Sequence, residues 1–524
     1  MAEFIKASQA ARLIKDDSFL LVCGFVGIGS PEEIFIEMEK SFLEKGTPKN
    51  LDLMFAAGFG DGKTKGLNHF AHKGMIKKAI GGHWGLAPGL AQLVNNNDME
   101  GYNLPQGVIA QMFRDMAAGK PGTISHVGLG TFVDPEIQGG KLNDVTTKDI
   151  VEKLTLNGRE VLFFHGQRPN FGILKGTSSD EDGNISFEEE PLTLETLSIA
   201  MAVKNAGGKI IVQVKKKVEN GVIQPKNVKI PGILVDYVVV VENLENHKQT
   251  LAEEFNLEYV TRIISDKPSK VEAVQLDERK VVSRRCAMLL SREKKIINYG
   301  IGMPEVIATV LNEEGQEEYF TPTVEPGAIG GTPAGGLNFG ASVNPVCIID
   351  QPYQFDFYDG GGLDMAYLGL AEGDMNGNVN VSKFGQLIAG CGGFINITQS
   401  AKKVFFCGTF TAGGLKTEIK NGKLSILTEG KKKKFVKKAE QITFSGEYAQ
   451  KKDQAVMFIT ERAVFELKKD GLYLTEIAPG IDLKKDILDQ MDFTPLISKN
   501  LKLMDERIFC PETMNLEENF KRED

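Results

Sequence analysis

Short apolar runs punctuate the chain at Phe19 to Val22, Lys209 to Val214, Tyr237 to Val241, Val346 to Ile349 and Lys403 to Cys407. Each has the length of a strand, and helical segments lie between them, a pattern that predicts α/β domains with largely parallel sheets. Residues up to Ile14 carry the periodicity of an amphipathic first helix. The most continuous apolar stretch, Tyr237 to Val241, is far too short to cross a bilayer, so a soluble, cytoplasmic protein is expected.

The pattern repeats. Gly27-Ile28-Gly29-Ser30-Pro31-Glu32-Glu33-Ile34 recurs as Gly300-Ile301-Gly302-Met303-Pro304-Glu305-Val306-Ile307, and each copy follows an apolar run, Phe19 to Val22 or Ile296 to Ile297. Both copies read as strand, glycine turn, then helix with proline near its first turn. A second echo pairs Asp180-Glu181-Asp182-Gly183-Asn184 with Asp374-Met375-Asn376-Gly377-Asn378, both turns that enter a strand. The first pair is offset by 273 residues and the second by 194, so the N-terminal half carries 79 additional residues between its landmarks.

These features predict two related open α/β domains in one chain, with mainly parallel sheets and the active site at their interface. The expected boundaries are 1–260 for the first domain, with an insertion within about 35–180 that covers or lines a cleft, and 281–524 for the second. The polar stretch 261–280, including Asp266-Lys267-Pro268-Ser269-Lys270, reads as the linker.

Composition narrows the partners. The 524 residues include 61 basic and 70 acidic side chains, a balance without the field that would hold nucleic acid or an anionic membrane. Small molecules and copies of the same chain are the expected partners. The six cysteines show no CxxC pair or metal-ligand spacing and read as reduced thiols.

The densest chemical signal begins at Thr323-Val324-Glu325-Pro326-Gly327-Ala328-Ile329-Gly330-Gly331, a carboxylate set in a loop too rich in glycine to be core packing. Two further glycine loops follow, at Asp359-Gly360-Gly361-Gly362 and at Ala389-Gly390-Cys391-Gly392-Gly393-Phe394. In an open α/β sheet such loops gather at the carboxyl edge, where backbone N–H groups can hold a phosphate or a developing oxyanion. No histidine occurs after His247, which removes any Ser-His or Cys-His pair built within the C-terminal half. A carboxylate acting as its own nucleophile needs no imidazole when its target is an activated acyl group, because a leaving thiolate departs unprotonated.

From Glu325 through Gly414 the chain closely resembles the family I coenzyme A transferases, within them the acetate and propionate CoA-transferases, relatives of the 3-ketoacid CoA-transferases. The resemblance extends over nearly the whole chain. It is carried by Asp350 to Gly362, Asn378 to Gly385, Gly390 to Phe394, Gly408 to Gly414 and Asn103-Leu104-Pro105-Gln106-Gly107. The family's catalytic glutamate opens a Glu-x-Gly-x-x-Gly loop, which falls on Glu325, Gly327 and Gly330; Pro326 departs from the small or polar residue common there.

The resemblance implies ping-pong exchange of CoA between short-chain acids such as acetate, propionate, butyrate, lactate or acetoacetate, through a glutamyl-CoA thioester on Glu325. It implies that Gly392 or Gly393 donates a backbone N–H to the oxyanion, and that Gln106 and Gly107 face the small acid. The Gly300-Ile301-Gly302-Met303-Pro304 turn resembles a CoA-contacting loop, with a plain strand-to-helix turn as its alternative. CoA enters as a substrate, with no permanently bound cofactor and no metal, and a homodimer or homotetramer is implied. A thioesterase using the same glutamate, or a CoA-ligand sensor on the same scaffold, are the alternatives.

Other signals read as structural. Asp180, Asp182 and Asn184 lack the acidic twelfth position of a calcium loop, which is Pro191. His69 and His72 have no further ligands at metal spacing and read as structural histidines. Lys431 to Lys434 reads as solvated surface, with a contact to CoA phosphates as the alternative, and Cys391 as a packing residue.

Overall fold

The structure is a computed structural model, and it describes residues 2–263, 274–290, 293, 295–316 and 319–517. Most of the expected linker, including Asp266 to Lys270, lies outside the described residues. The chain forms two compact units that are discontinuous in sequence. The first comprises the chain up to Ile263 together with Val324–Phe357 and Ser382–Asn396; the second takes the remainder. Contiguous halves were expected, whereas two stretches from the C-terminal half fold into the first unit.

The first unit is built on an eight-stranded, all-parallel sheet. Its strands are β1 (Glu3–Phe4), β2 (Phe19–Val22), β3 (Leu51–Phe55), β4 (Ile76–Gly81), β5 (Glu100–Asn103), β6 (Phe171–Lys175), β7 (Lys209–Val214) and β8 (Tyr237–Val240). They lie in the order β1-β8-β7-β6-β2-β3-β4-β5. The apolar runs are uninterrupted because such a sheet is covered on both faces: Leu20, Leu53, Ile173, Ile211 and Val239 have no exposed surface and share one core cluster. The glycine turn after β2 leads into helix α1 (Glu32–Lys45), and helix α2 (Gln106–Ala117) follows β5.

In the second unit, β9 (Lys295–Tyr299), β10 (Phe320–Thr323), β11 (Met365–Gly369), β12 (Lys403–Cys407) and β13 (Ala455–Ile459) pair in the parallel order β10-β9-β11-β12-β13. This reproduces β3-β2-β6-β7-β8 of the first unit, and helix α3 (Glu305–Glu313) follows β9 as α1 follows β2. Three further strands, β14 (Ala463–Lys468), β15 (Gly471–Ile477) and β16 (Leu496–Leu503), extend this sheet beyond β13.

The second echo is also structural. Asp180 Oδ1 accepts from the amides of Asp182 and Asn184, and Asp374 Oδ1 accepts from those of Asn376 and Asn378. In both turns the asparagine Nδ2 returns to the same aspartate.

The extra residues of the N-terminal half add β4 and β5 at the sheet edge, α2, and a small antiparallel sheet of Gly122–Ser125, Val151–Leu156 and Arg159–His165. They widen the sheet, and they bring His83, Asn103 and Gln106 to the Gly390–Gly393 loop. Among the described residues no helix is long and apolar enough to cross a membrane.

Candidate active site

After β10 the chain turns sharply and presents Glu325. Gly327 N–H donates to the Val324 carbonyl at 3.1 Å, which closes a β-turn with Glu325 and Pro326 at its two central places. Pro326 therefore sits where no N–H is needed, and it restricts the glutamate before it to extended backbone. Gly327 has φ 121°, and a Cβ there would collide with the Ile349 carbonyl, so only glycine fits. The turn is braced by Ile349 N–H donating to the Gly327 carbonyl at 3.0 Å.

The turn puts the Glu325 side chain under cover, 8% exposed. Its Oε2 has no hydrogen-bond partner among the described residues. Burial pushes the carboxyl from 4.5 to about 7, with its own backbone amide partly offsetting the rise. A buried carboxylate without a counter-cation is expensive to keep as mere structure, and it is a reactive oxygen if a ligand is brought to it.

The loop Gly390-Cys391-Gly392-Gly393 lies against it. A Cβ on Gly393 would come within 3.0 Å of Glu325 Cγ and 3.2 Å of Phe355 Cζ. The loop is fastened to the carboxyl ends of β4 and β5 by Asn103, which sequence reasoning overlooked as a site residue. Asn103 Nδ2 donates to the carbonyls of Gly81 and Gly82 at 2.8 and 2.6 Å, and its Oδ1 accepts from Cys391 N–H at 2.9 Å.

Gly392 N–H donates to the Gly82 carbonyl at 2.7 Å. That amide is committed to holding the loop, so Gly392 is corrected from an oxyanion donor to an anchor. Gly393 N–H has no such partner among the described residues, and Gly393 abuts Glu325. Burial raises the Cys391 thiol, whose Sγ faces the Leu104 carbonyl at 3.4 Å; it packs, as expected.

Gln106 opens α2, and its own N–H donates to the Gly392 carbonyl at 2.9 Å. Its side chain is buried, its Oε1 is 3.7 Å from the point a Gly392 Cβ would occupy, and its Nε2 has no partner among the described residues. A second unpaired polar group thus lies at the same glycine loop as Glu325. Gly107, expected to face the acid, is turned towards protein instead: its missing side chain makes room for Phe355 and Asn396, and its N–H donates to Asn396 Oδ1 at 3.1 Å. Its role is close packing.

The Gly300–Pro304 turn belongs to the second unit. Gly302 N–H donates to Glu305 Oε1 at 2.8 Å, which ties the turn to the first residue of α3, and Ile301 is 57% exposed. Its N-terminal twin is in the first unit, where Gly27 packs against the Leu337 carbonyl and Phe25 against Phe339, with ring centroids 5.8 Å apart. The histidine pair is structural: His69 and His72 both engage Glu39 at 2.6 Å, and among the described residues no cluster could hold a metal ion. Lys431, Lys432 and Lys433 are exposed, but Lys434 turns inward and donates to the Leu370 carbonyl at 3.0 Å.

Residues 4–241 match the Coenzyme A transferase family. The chain is 45% identical to acetate CoA-transferase YdiF of Escherichia coli K12 over 516 residues, covering 97% of this chain and 96% of that one. It is 46% identical to caffeate CoA-transferase of Acetobacterium woodii over 515 residues, covering 97% and 98%. The solved acyl-CoA transferase YdiF of E. coli O157:H7 in a thioester complex with CoA superposes with a TM-score of 0.92 at 43% identity, covering 98% of this chain and 97% of that one.

Proposed function

This chain belongs to the coenzyme A transferases and is an enzyme of that class, and we propose that it works by ping-pong exchange through a thioester on Glu325. The single observation that carries the reading is the covered Glu325 carboxylate, whose Oε2 has no partner among the described residues, beside Gly393, a nucleophile and an oxyanion donor on neighbouring loops of one unit. The thioester complex of the YdiF relative with CoA supports it.

A Glu325 oxygen attacks the acyl-CoA carbonyl carbon. The tetrahedral oxyanion accepts from Gly393 N–H and Gln106 Nε2–H, then collapses with loss of CoA thiolate to leave an acyl-glutamyl anhydride. The thiolate attacks the glutamyl carbonyl carbon, the first acid leaves as carboxylate, and glutamyl-CoA remains. A second carboxylate reverses these steps and departs as the new thioester. No proton is transferred at any step, which suits a site whose reacting groups are a carboxylate, amides and a thiolate.

The acids are short-chain carboxylates of the acetate, propionate, butyrate, lactate or acetoacetate class, CoA is a substrate, and the Gly300–Pro304 turn contacts it. The enzyme acts as a cytoplasmic homodimer or homotetramer, which light scattering of the purified chain checks.

The test is intact-protein and peptide mass measurement after mixing with acetyl-CoA. The expected product is a CoA adduct on the peptide containing Glu325, discharged by added carboxylate and absent from Glu325→Gln. Turnover without an adduct, or equal turnover in Glu325→Gln, overturns the reading. Discharge by water as fast as by carboxylate makes the enzyme a thioesterase.

A further inference from the structure

No motif in the sequence sets His83 apart from the chain's other histidines. It follows β4 directly, at the carboxyl edge of the parallel sheet, where ligands of open α/β sheets bind. Its ring is seated between two residues without side chains. A Cβ on Gly58 would come within 2.9 Å of His83 Nδ1, and one on Gly85 within 3.1 Å of Cε1 and 3.4 Å of Nε2.

On its other side His83 meets the catalytic loop. The point a Gly392 Cβ would occupy is 3.9 Å from His83 Cβ and Cδ2 and 3.7 Å from Gln106 Oε1. The next residue, Gly393, abuts Glu325 at 3.0 Å on the same construction. Glu325, Gln106 and His83 therefore bracket one pair of glycines.

No hydrogen bond joins the imidazole to another described residue, and it is not fully covered. Desolvation takes its pKa down to about 4, so near neutral pH the ring is uncharged, with one N–H donor and one nitrogen acceptor. A neutral ring gives little to a second carboxylate. It suits a hydroxyl, which can accept from the N–H or donate to the bare nitrogen, or an oxo oxygen, which accepts from the N–H.

We infer that His83 is a specificity-determining residue, whose ring nitrogens hydrogen-bond an oxygen carried on the acyl chain of the acid, next to the carbon that Glu325 attacks. This rests on the CoA-transfer reading above. The chemical class selected is a short-chain acid with a hydroxyl or oxo group near its carboxylate, in preference to the plain alkyl acid of the same length.

The experiment uses the full-length enzyme with acetyl-CoA as donor and two acceptor pairs of equal carbon number, lactate against propionate and acetoacetate against butyrate. In the wild type, kcat/KM for the oxygenated member exceeds that of its partner about tenfold or more in at least one pair, and His83→Leu lowers that ratio about tenfold. His83→Gln, which keeps a donor and an acceptor, restores part of it. A wild-type ratio below about tenfold in both pairs, a measurement independent of any variant, overturns the inference, as does an unchanged ratio in His83→Leu. Loss of the Glu325 adduct with every acid would refute the transfer reading, whereas an intact adduct with unchanged ratios refutes only the role of His83.

Discussion

Two buried carboxyls are shifted in the same direction, and their titrations predict different observables: one at the proposed site, the other in stability. Glu325, pushed up to about 7 by burial, must be ionised to attack, so the protonated fraction is lost to catalysis. The kcat/KM for acyl-CoA is expected to fall about tenfold per pH unit below 7 and to flatten above about 8, in initial rates from pH 5.5 to 9. A profile flat down to pH 5.5 would show that the carboxylate is less desolvated than its surroundings suggest.

Glu195 is 1% exposed, neither of its oxygens is hydrogen-bonded among the described residues, and burial followed by the nearby Asp350 charge pushes it up to about 8. Because its folded pKa lies above the unfolded value near 4.5, its stabilising protonation is fully present below pH 4.5 and is lost as the pH rises through about 8. Glu195→Gln, which cannot ionise, is therefore expected to unfold at a higher temperature than wild type at pH 8, with the margin vanishing at pH 5. Calorimetry at the two pH values checks this, and an equal margin at both contradicts it.

At the level of elements, much was legible. Phe19–Val22, Lys209–Val214 and Lys403–Cys407 became strands with the bounds read from their apolar runs, and both proline-led glycine turns cap helices. Glu325 stood out because a carboxylate among glycines is improbable as packing. What stayed hidden were contacts spanning about 300 positions, which leave no periodicity behind. Asn103 and Cys391 are 288 residues apart, and nothing local distinguishes this asparagine from one in an ordinary turn.

Asn103 nevertheless holds the glycine loop to two strand ends. In Asn103→Ala the carbonyls of Gly81 and Gly82 keep other donors, Leu104 N–H and Gly392 N–H, so the principal orphan is the buried Cys391 N–H. That loss costs about 1–3 kcal/mol, measurable by denaturant unfolding. Because the same loop sets Gly393 against Glu325, kcat is expected to drop about 100-fold, as for a misplacement near 1 Å. Asn103→Asp retains the acceptor for Cys391 but faces two carbonyls with a carboxylate, so a variant with wild-type kcat would show that the loop is held elsewhere.

The whole molecule reads as a duplication whose products are no longer separable. The strand order β3-β2-β6-β7-β8 recurs as β10-β9-β11-β12-β13, but where the first unit runs from β3 to β6 through its own added strands, the chain leaves its unit between β10 and β11, and again between β11 and β12, and completes the other. That exchange places Glu325 and Gly393, from the C-terminal half, with Asn103, Gln106 and His83, from the N-terminal half. The joins are firm: Trp84 N–H donates to the Ala389 carbonyl at 2.7 Å, Gln351 N–H to the Leu194 carbonyl at 3.0 Å, and Thr250 Oγ1 to Asn338 Oδ1 at 2.5 Å.

A chain severed after Ile263 and before Val274 therefore separates nucleophile from oxyanion donor support without cutting either unit's sheet. Expressed alone, the N-terminal fragment leaves uncovered the apolar surface that Phe339 and Phe355 occupy, and it is expected to aggregate or to melt well below the intact protein. The C-terminal fragment alone carries Glu325 without Gln106, so it transfers no CoA. Co-expression should give fragments that purify together and exchange CoA, because every contact that builds the site is non-covalent. A C-terminal fragment active by itself, or an N-terminal fragment as stable as the intact chain, would contradict a first unit completed by residues 324–357 and 382–396.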